Sequence, residues 1–118
     1  MRVDKLPVRV EATRYEVTNY PEQGVNAREF TLWVERRDID RWCVTDGFGS
    51  CYRKDGHKSY ERNPSSRTDR FKNAYRFPLD EALALAQKLV PKMRLGKGPN
   101  RPGQTAEEIW EWEQGRRD

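Results

Sequence analysis

The chain has 118 residues, of which 35% are hydrophobic, 36% charged and 11% aromatic, with a formal net charge of +4. That length suits one domain with a modest core and excludes a second core, while the aromatic content argues against disorder throughout. No stretch approaches the ~20 apolar residues of a membrane span, and Met1 to Val10 carries Arg2, Asp4, Lys5 and Arg9 with no apolar run, so no signal peptide is read and the cytoplasm is the expected location.

Charge is distributed unevenly. Residues 1–52 carry a net charge of −1, residues 53–104 a net +8, and residues 105–118 a net −3. A basic middle followed by an acidic tail points to an anionic partner.

Val8, Val10 and Ala12 alternate with Arg9, Glu11 and Thr13, which predicts a half-buried strand. The apolar parity then moves to Tyr15 and Val17, as at a bulge. Asn19 to Gly24 reads as a loop. Phe30, Leu32 and Val34 alternate with Thr31, Trp33 and Glu35 in the clearest strand of the chain. Residues 36–40 form a polar turn. Beyond it Trp42 and Val44 point one way, and Arg41, Cys43 and Thr45 the other. A loop at Gly47–Gly49 leads to a strand from Ser50 to Lys54. Asp55-Gly56 reads as a two-residue hairpin loop, returning through a short edge strand, His57 to Glu61. Residues 30–61 are thus predicted to be a four-stranded antiparallel meander.

Helices follow. Asn63-Pro64-Ser65-Ser66 should stop the sheet, with Ser66 capping a short helix near 67–76 whose inner face holds Phe71, Ala74 and Tyr75. Leu79, Ala82, Leu83, Ala86, Leu89 and Val90 follow the helical spacing. Asp80 and Glu81 suit that helix's start, Lys88 suits its end, and Pro91 should stop it. Residues 92–104, with three glycines and two prolines among basic residues, read as a linker or exposed loop. Thr105 and Glu108 form a capping box for a last helix, with Ala106, Ile109 and Trp110 on one stripe and Trp112 off it. The expected fold is α+β: a four- to five-stranded antiparallel sheet, two helices on one face and a short C-terminal helix. Its divisions are 1–91, the basic segment 92–104, and 105–118.

Three groups of residues are candidates for binding. With Asp55-Gly56 as a two-residue loop, Arg53 lies opposite Lys58, an unfavourable pair for folding alone. Those two, with Arg41, Trp33 and Tyr60, would form a cationic, ring-bearing outer face able to stack bases and hold phosphates. A plain solvated face is the competing reading. The second group is Lys92, Arg94, Lys97 and Arg101, an arm for a phosphate backbone or a solvated loop; no acid occurs among residues 88–104. The third is the terminal helix. Trp110 and Trp112 lie on different faces among four glutamates, either closing the core or docking on a partner or a second copy.

Catalytic signals are thin. His57, the sole histidine, flanks a hairpin tip. With a three-residue loop at Gly47–Gly49, Cys43 and Cys51 fall diagonally on one face, long for a disulfide, whereas a wider loop would set them opposite each other; reduced thiols are expected. Asp38 and Asp40 are ordinary turn residues. Gly96 and Gly98 lack the preceding strand of a phosphate loop. No metal site and no cofactor are expected.

Trp42-x-Val44, the Asp46-Gly47 turn, Pro64-Ser65-Ser66-Arg67, Phe71, Arg76-Phe77 and Glu81-Ala82-Leu83 through Leu85-Ala86 occur in this order. The series resembles small uncharacterised proteins of actinobacterial viruses and their hosts. The N-terminal segment and the double-Trp tail depart from that pattern. The resemblance implies the cytoplasm of an infected bacterium and a non-catalytic accessory role. The expectation is therefore binding to a host protein. Weak nucleic-acid binding is the alternative, an enzyme is a distant third, a homo-oligomer through the C-terminal helix is open, and a membrane partner is not expected.

Overall fold

The computed structural model describes residues 4–61 and 67–117. The elements are β1 (Arg14–Thr18), α1 (Val25–Arg28), β2 (Thr31–Asp38), β3 (Arg41–Thr45), β4 (Ser50–Tyr52) and β5 (Lys58–Tyr60). They are followed by α2 (Asp69–Tyr75), α3 (Leu79–Leu89), a 3₁₀ turn at Val90–Lys92, and α4 (Ala106–Arg117). The five strands form one antiparallel sheet in sequence order. The fold is α+β.

Strand alternation builds the main core. Leu32 and Val34 on β2, and Trp42 and Val44 on β3, point to one face and meet Ala82, Leu85 and Ala86 of α3, with Val90 just beyond. Tyr15, Val17, Tyr52 and Phe77 pack around them. The α-helix ends at Leu89 and continues through Pro91 as a single 3₁₀ turn. A second cluster holds Tyr20, Phe30, Ala106 and Ile109, with Leu95 and Trp110 at its margin. The capping box fixes the start of α4: Glu108 N–H donates to Thr105 Oγ1 at 3.2 Å, and Thr105 N–H donates to Glu108 Oε1 at 3.4 Å. Residues 92–104 fold back on themselves through bridges Leu95↔Gln104 and Gly98↔Arg101, forming a closed loop seated on this cluster.

Several expectations need correction. Residues 5–13 form no strand, and Val8 and Val10 are exposed. The outer edge of β2 is already paired over Thr31–Glu35 by Arg14–Thr18, and β2 ends at Asp38. One further bond reaches back, from Arg36 N–H to Thr13 O at 3.0 Å. In that register the residues before Glu11 fall beyond the end of β2, and none of residues 5–13 pairs as a strand. The four-residue helix α1 follows the Asn19–Gly24 loop in a stretch for which no element was expected.

The β3–β4 register agrees with a Gly47–Gly49 loop, since Thr45 lies opposite Cys51. The β4–β5 register is shifted by one residue: Tyr52 faces Lys58, Cys51 faces Ser59 and Ser50 faces Tyr60. The loop spans three residues, Lys54 to Gly56, closed by Arg53 N–H donating to His57 O at 2.9 Å. Gly56, at φ +86°, supplies the left-handed residue that such a loop requires.

The two central helices do not share one face. α3 lies on the main core, and no residue of α2 belongs to it. Thr68 caps α2 by accepting from Phe71 N–H at 3.1 Å; the expected Ser66 cap and the stop at residues 63–66 lie outside the described residues. After α2 the chain pairs at Trp42↔Phe77, which sends Phe77 to the core and Arg76 to the opposite face.

Leu85 is buried, whereas Leu83 packs at the core's edge. Leu85→Ala is expected to lose about 2–5 kcal/mol in urea denaturation, and Leu83→Ala less. Equal losses would show that another stripe of α3 faces the sheet.

Candidate functional site

The expected cationic sheet face does not assemble. Trp33 is only 9% exposed. The Arg14 guanidinium lies 5.0 Å from its ring centroid, and Gly47 sits so close that a Cβ there would meet the ring at 2.9 Å. Thr45, Cys43 and Cys51, on the same face, are buried as well. Because Lys58 pairs with Tyr52 rather than with Arg53, strand alternation places Arg53 and Lys58 on opposite sides of the sheet. Each is answered locally, Arg53 by Asp55 at 2.9 Å and Lys58 by Asp46 at 3.5 Å. Tyr60 is exposed, but on the Lys58 side.

What occupies the outer face instead is a partly buried charge network. Glu61 has a side chain 9% exposed and lies just after β5. It accepts from Arg37 at 2.9 Å and from the guanidinium of Arg76, whose side chain is 4% exposed, and Arg67 stands 4.0 Å away. Arg37 also reaches Glu35 at 2.9 Å, and Glu35 is held in turn by Arg14 at 2.8 Å. Burial pushes the Glu61 carboxyl up, but Arg37 and Arg76 outweigh it and hold the group below the usual carboxylate range. Cys43 and Cys51 are free thiols beside this network, diagonal across β3 and β4 as expected. Burial pushes them to about 11 and about 12.

Between the β2–β3 turn and α2 the network opens into a concavity of about 510 Å³. Arg37, Arg41, Arg67, Lys72 and Arg76 line it, against Asp38 and Asp69. Of these, Arg41 alone was among the expected binding residues. Glu61 and Arg76 were missed. The available signal was that Glu61 is the sole acid between Asp55 and Asp69, in a run with Lys58, Arg62 and Arg67. A wider groove, about 620 Å³, lies under residues 20–28, where Arg14 and Arg28 stand against Glu16 and Glu22.

The other expected residues lie elsewhere. Lys92, Arg94, Lys97 and Arg101 are exposed on the closed loop and do not line the concavity; Arg94 donates to Gly103 O at 3.2 Å. Trp110 turns inward, with its ring edge-on to Tyr20 at 5.7 Å, while Trp112 is exposed under the Arg116 guanidinium. The terminal helix thus closes its own chain's second cluster.

The most exposed apolar side chains include three at alternate positions before β1: Leu6 at 77%, Val8 at 91% and Val10 at 95%. This arm is tied at its root, where Glu11 meets Arg36 at 2.8 Å. The radius of gyration is 17.9 Å. A compact chain of this length has about 13.5 Å, as fits a projecting segment.

No family model, curated protein or solved structure matches this chain. Among the described residues, no helix is long and apolar enough to cross a membrane, and no group of three or more His, Cys, Asp or Glu is placed to hold a metal ion.

Two outcomes follow from the network. Glu61→Gln leaves Arg76 buried without a charged partner and is expected to lose roughly 3 kcal/mol near neutral pH. Because the folded Glu61 pKa is lowered, its contribution is present above the ordinary carboxylate range and disappears as pH falls through the folded value. The wild type and the variant should therefore converge on acid titration of stability, and a constant gap down to the acid limit contradicts the assignment. The cysteines act in the other direction. Their folded pKa values are raised, so their contribution is complete below the ordinary thiol range near pH 8.5 and declines as pH rises toward 11 and 12. A thiol reagent at about pH 8 should label neither until the chain unfolds; rapid labelling of the folded protein would show that the thiols are open.

Proposed function

We propose that this protein acts by binding a partner protein, which takes residues 5–12 as an added strand. The observation that carries this reading is the arm: Leu6, Val8 and Val10 recur at period two, are exposed, and stand on backbone that belongs to no helix or strand. Strand addition draws affinity from such backbone and specificity from alternate side chains that enter pockets on the partner. Pro7 lacks an N–H, and its neighbours keep theirs, as in a strand paired along one edge. The resemblance to proteins of actinobacterial viruses and their hosts makes a bacterial host protein the partner we propose.

Binding rather than catalysis is supported by the state of the reactive groups. Cys43 and Cys51 are buried with raised pKa values, the reverse of an activated nucleophile. His57 is exposed beside the β4–β5 loop. The nucleic-acid alternative lacks its stacking platform, because Trp33 is covered and Arg53 and Lys58 lie on opposite faces.

The variant Val8→Asp/Val10→Asp tests the arm. Both side chains are exposed, so stability should change by less than about 0.5 kcal/mol. Full-length protein is expected to retain a discrete host protein from bacterial lysate, and the variant to lose it. Retention of the same protein by the variant overturns the reading. So does a dimer in sedimentation that the variant converts to monomer, since the arm's occupant is then a second copy.

A further inference from the structure

We propose that the concavity between the β2–β3 turn and α2 is a binding site for a compact phosphoanion, of the phosphomonoester or pyrophosphate class. This rests on the arginine network and is independent of the arm.

The hollow carries an excess of positive charge. Five cations, Arg37, Arg41, Arg67, Lys72 and Arg76, face three carboxylates, Asp38, Asp69 and the buried Glu61. Among the described residues the excess is two positive charges, and Glu35 behind them, shared by Arg37 and Arg14, is balanced by the Arg14 charge. Two unbalanced charges in one hollow match a dianionic phosphate, which carries close to −2 at neutral pH.

The hollow is also pre-organised. Binding usually costs the entropy of fixing long side chains. Here Glu61 already holds Arg37 and Arg76, and Arg76 is further fixed by donating to Tyr75 O at 3.1 Å and by lying over the Phe71 ring. The floor is therefore rigid and cationic before any ligand arrives. Asp38 directs one carboxylate oxygen to its neighbour's backbone, accepting from Ile39 N–H at 2.7 Å, and Asp69 is exposed and loosely held by Lys72 at 3.6 Å. Arg41 is exposed and has no ion-pair partner among the described residues. It supplies the guanidinium fork best suited to phosphate oxygens.

Shape decides between ligands. The cations converge on one hollow of about 510 Å³ rather than running as a stripe, and among the described residues no aromatic lines it. A nucleic-acid strand calls for a track of charge with rings for stacking. A small anion needs only convergence, and this volume lies within the usual range for small-molecule sites.

Titration with sodium pyrophosphate, followed by backbone amide shifts at low salt, tests the site. Saturable shifts are expected at Arg41, Lys72 and Asn73. Arg41→Ala should weaken the affinity about tenfold, as loss of a charge-assisted pair does. Lys97→Ala, on the distant basic loop, should leave it unchanged. Orthophosphate should bind the same residues. Absence of saturable shifts at about 20 mM salt, where screening is weak, overturns the proposal. Equal affinity in wild type and an Arg41→Ala/Lys72→Ala double variant also overturns it. A short single-stranded oligonucleotide that binds these residues while pyrophosphate does not overturns it in favour of backbone binding.

Discussion

Glu61 places a negative charge where charge is costly, and the outer half of the structure is organised around meeting that cost. Its carboxylate gathers Arg37 from β2 and Arg76 from the end of α2, with Arg67 close by. Without those cations the group would have to take up a proton or stay in water. With them, the segment after β5, the β2–β3 hairpin and α2 are tied to a single point. The buried thiols of Cys43 and Cys51 share that side of the sheet, so the outer face is a second interior rather than a platform.

The inner face follows a simpler rule. Alternation on β2 and β3 gathers Leu32, Val34, Trp42 and Val44, and the apolar stripe of α3 covers them. The strands β2 and β3 are therefore covered on both sides, by hydrocarbon on one and largely by paired charge on the other. A third body of contacts, Tyr20 and Phe30 under α4, joins the end of the chain to its beginning. Trp110 serves this closure, which leaves Trp112 outside.

The two surfaces proposed for binding lie near the same end of the sheet. The arm leaves β2 at Arg36, and the concavity opens beside Arg37, Asp38 and Arg41. Their physics differs: the arm offers exposed apolar side chains and free backbone, whereas the concavity offers fixed charge. On the two proposals, a partner protein and a small phosphoanion would be recognised by separate means on neighbouring ground.

Local regularities were legible from the residues alone. The period-two pattern of β2 and β3, the 3.6-residue stripe of α3, the Thr105–Glu108 capping box and the β3–β4 register all depend on residues near one another in the chain, where backbone geometry leaves few choices. The candidate site was not legible. Glu61 meets Arg76 across 15 residues and Arg37 across 24, and no short-range pattern announces such a meeting. A three-residue loop in place of a two-residue one turned Lys58 to the other face, because strand alternation converts a shift of one residue into a change of side. The sequence by itself determined which segments are strands and helices in most of the chain and which residues are greasy. Tertiary structure decided which charges meet, which tryptophan is hidden and which valines are left in water, since those outcomes depend on contacts between distant segments.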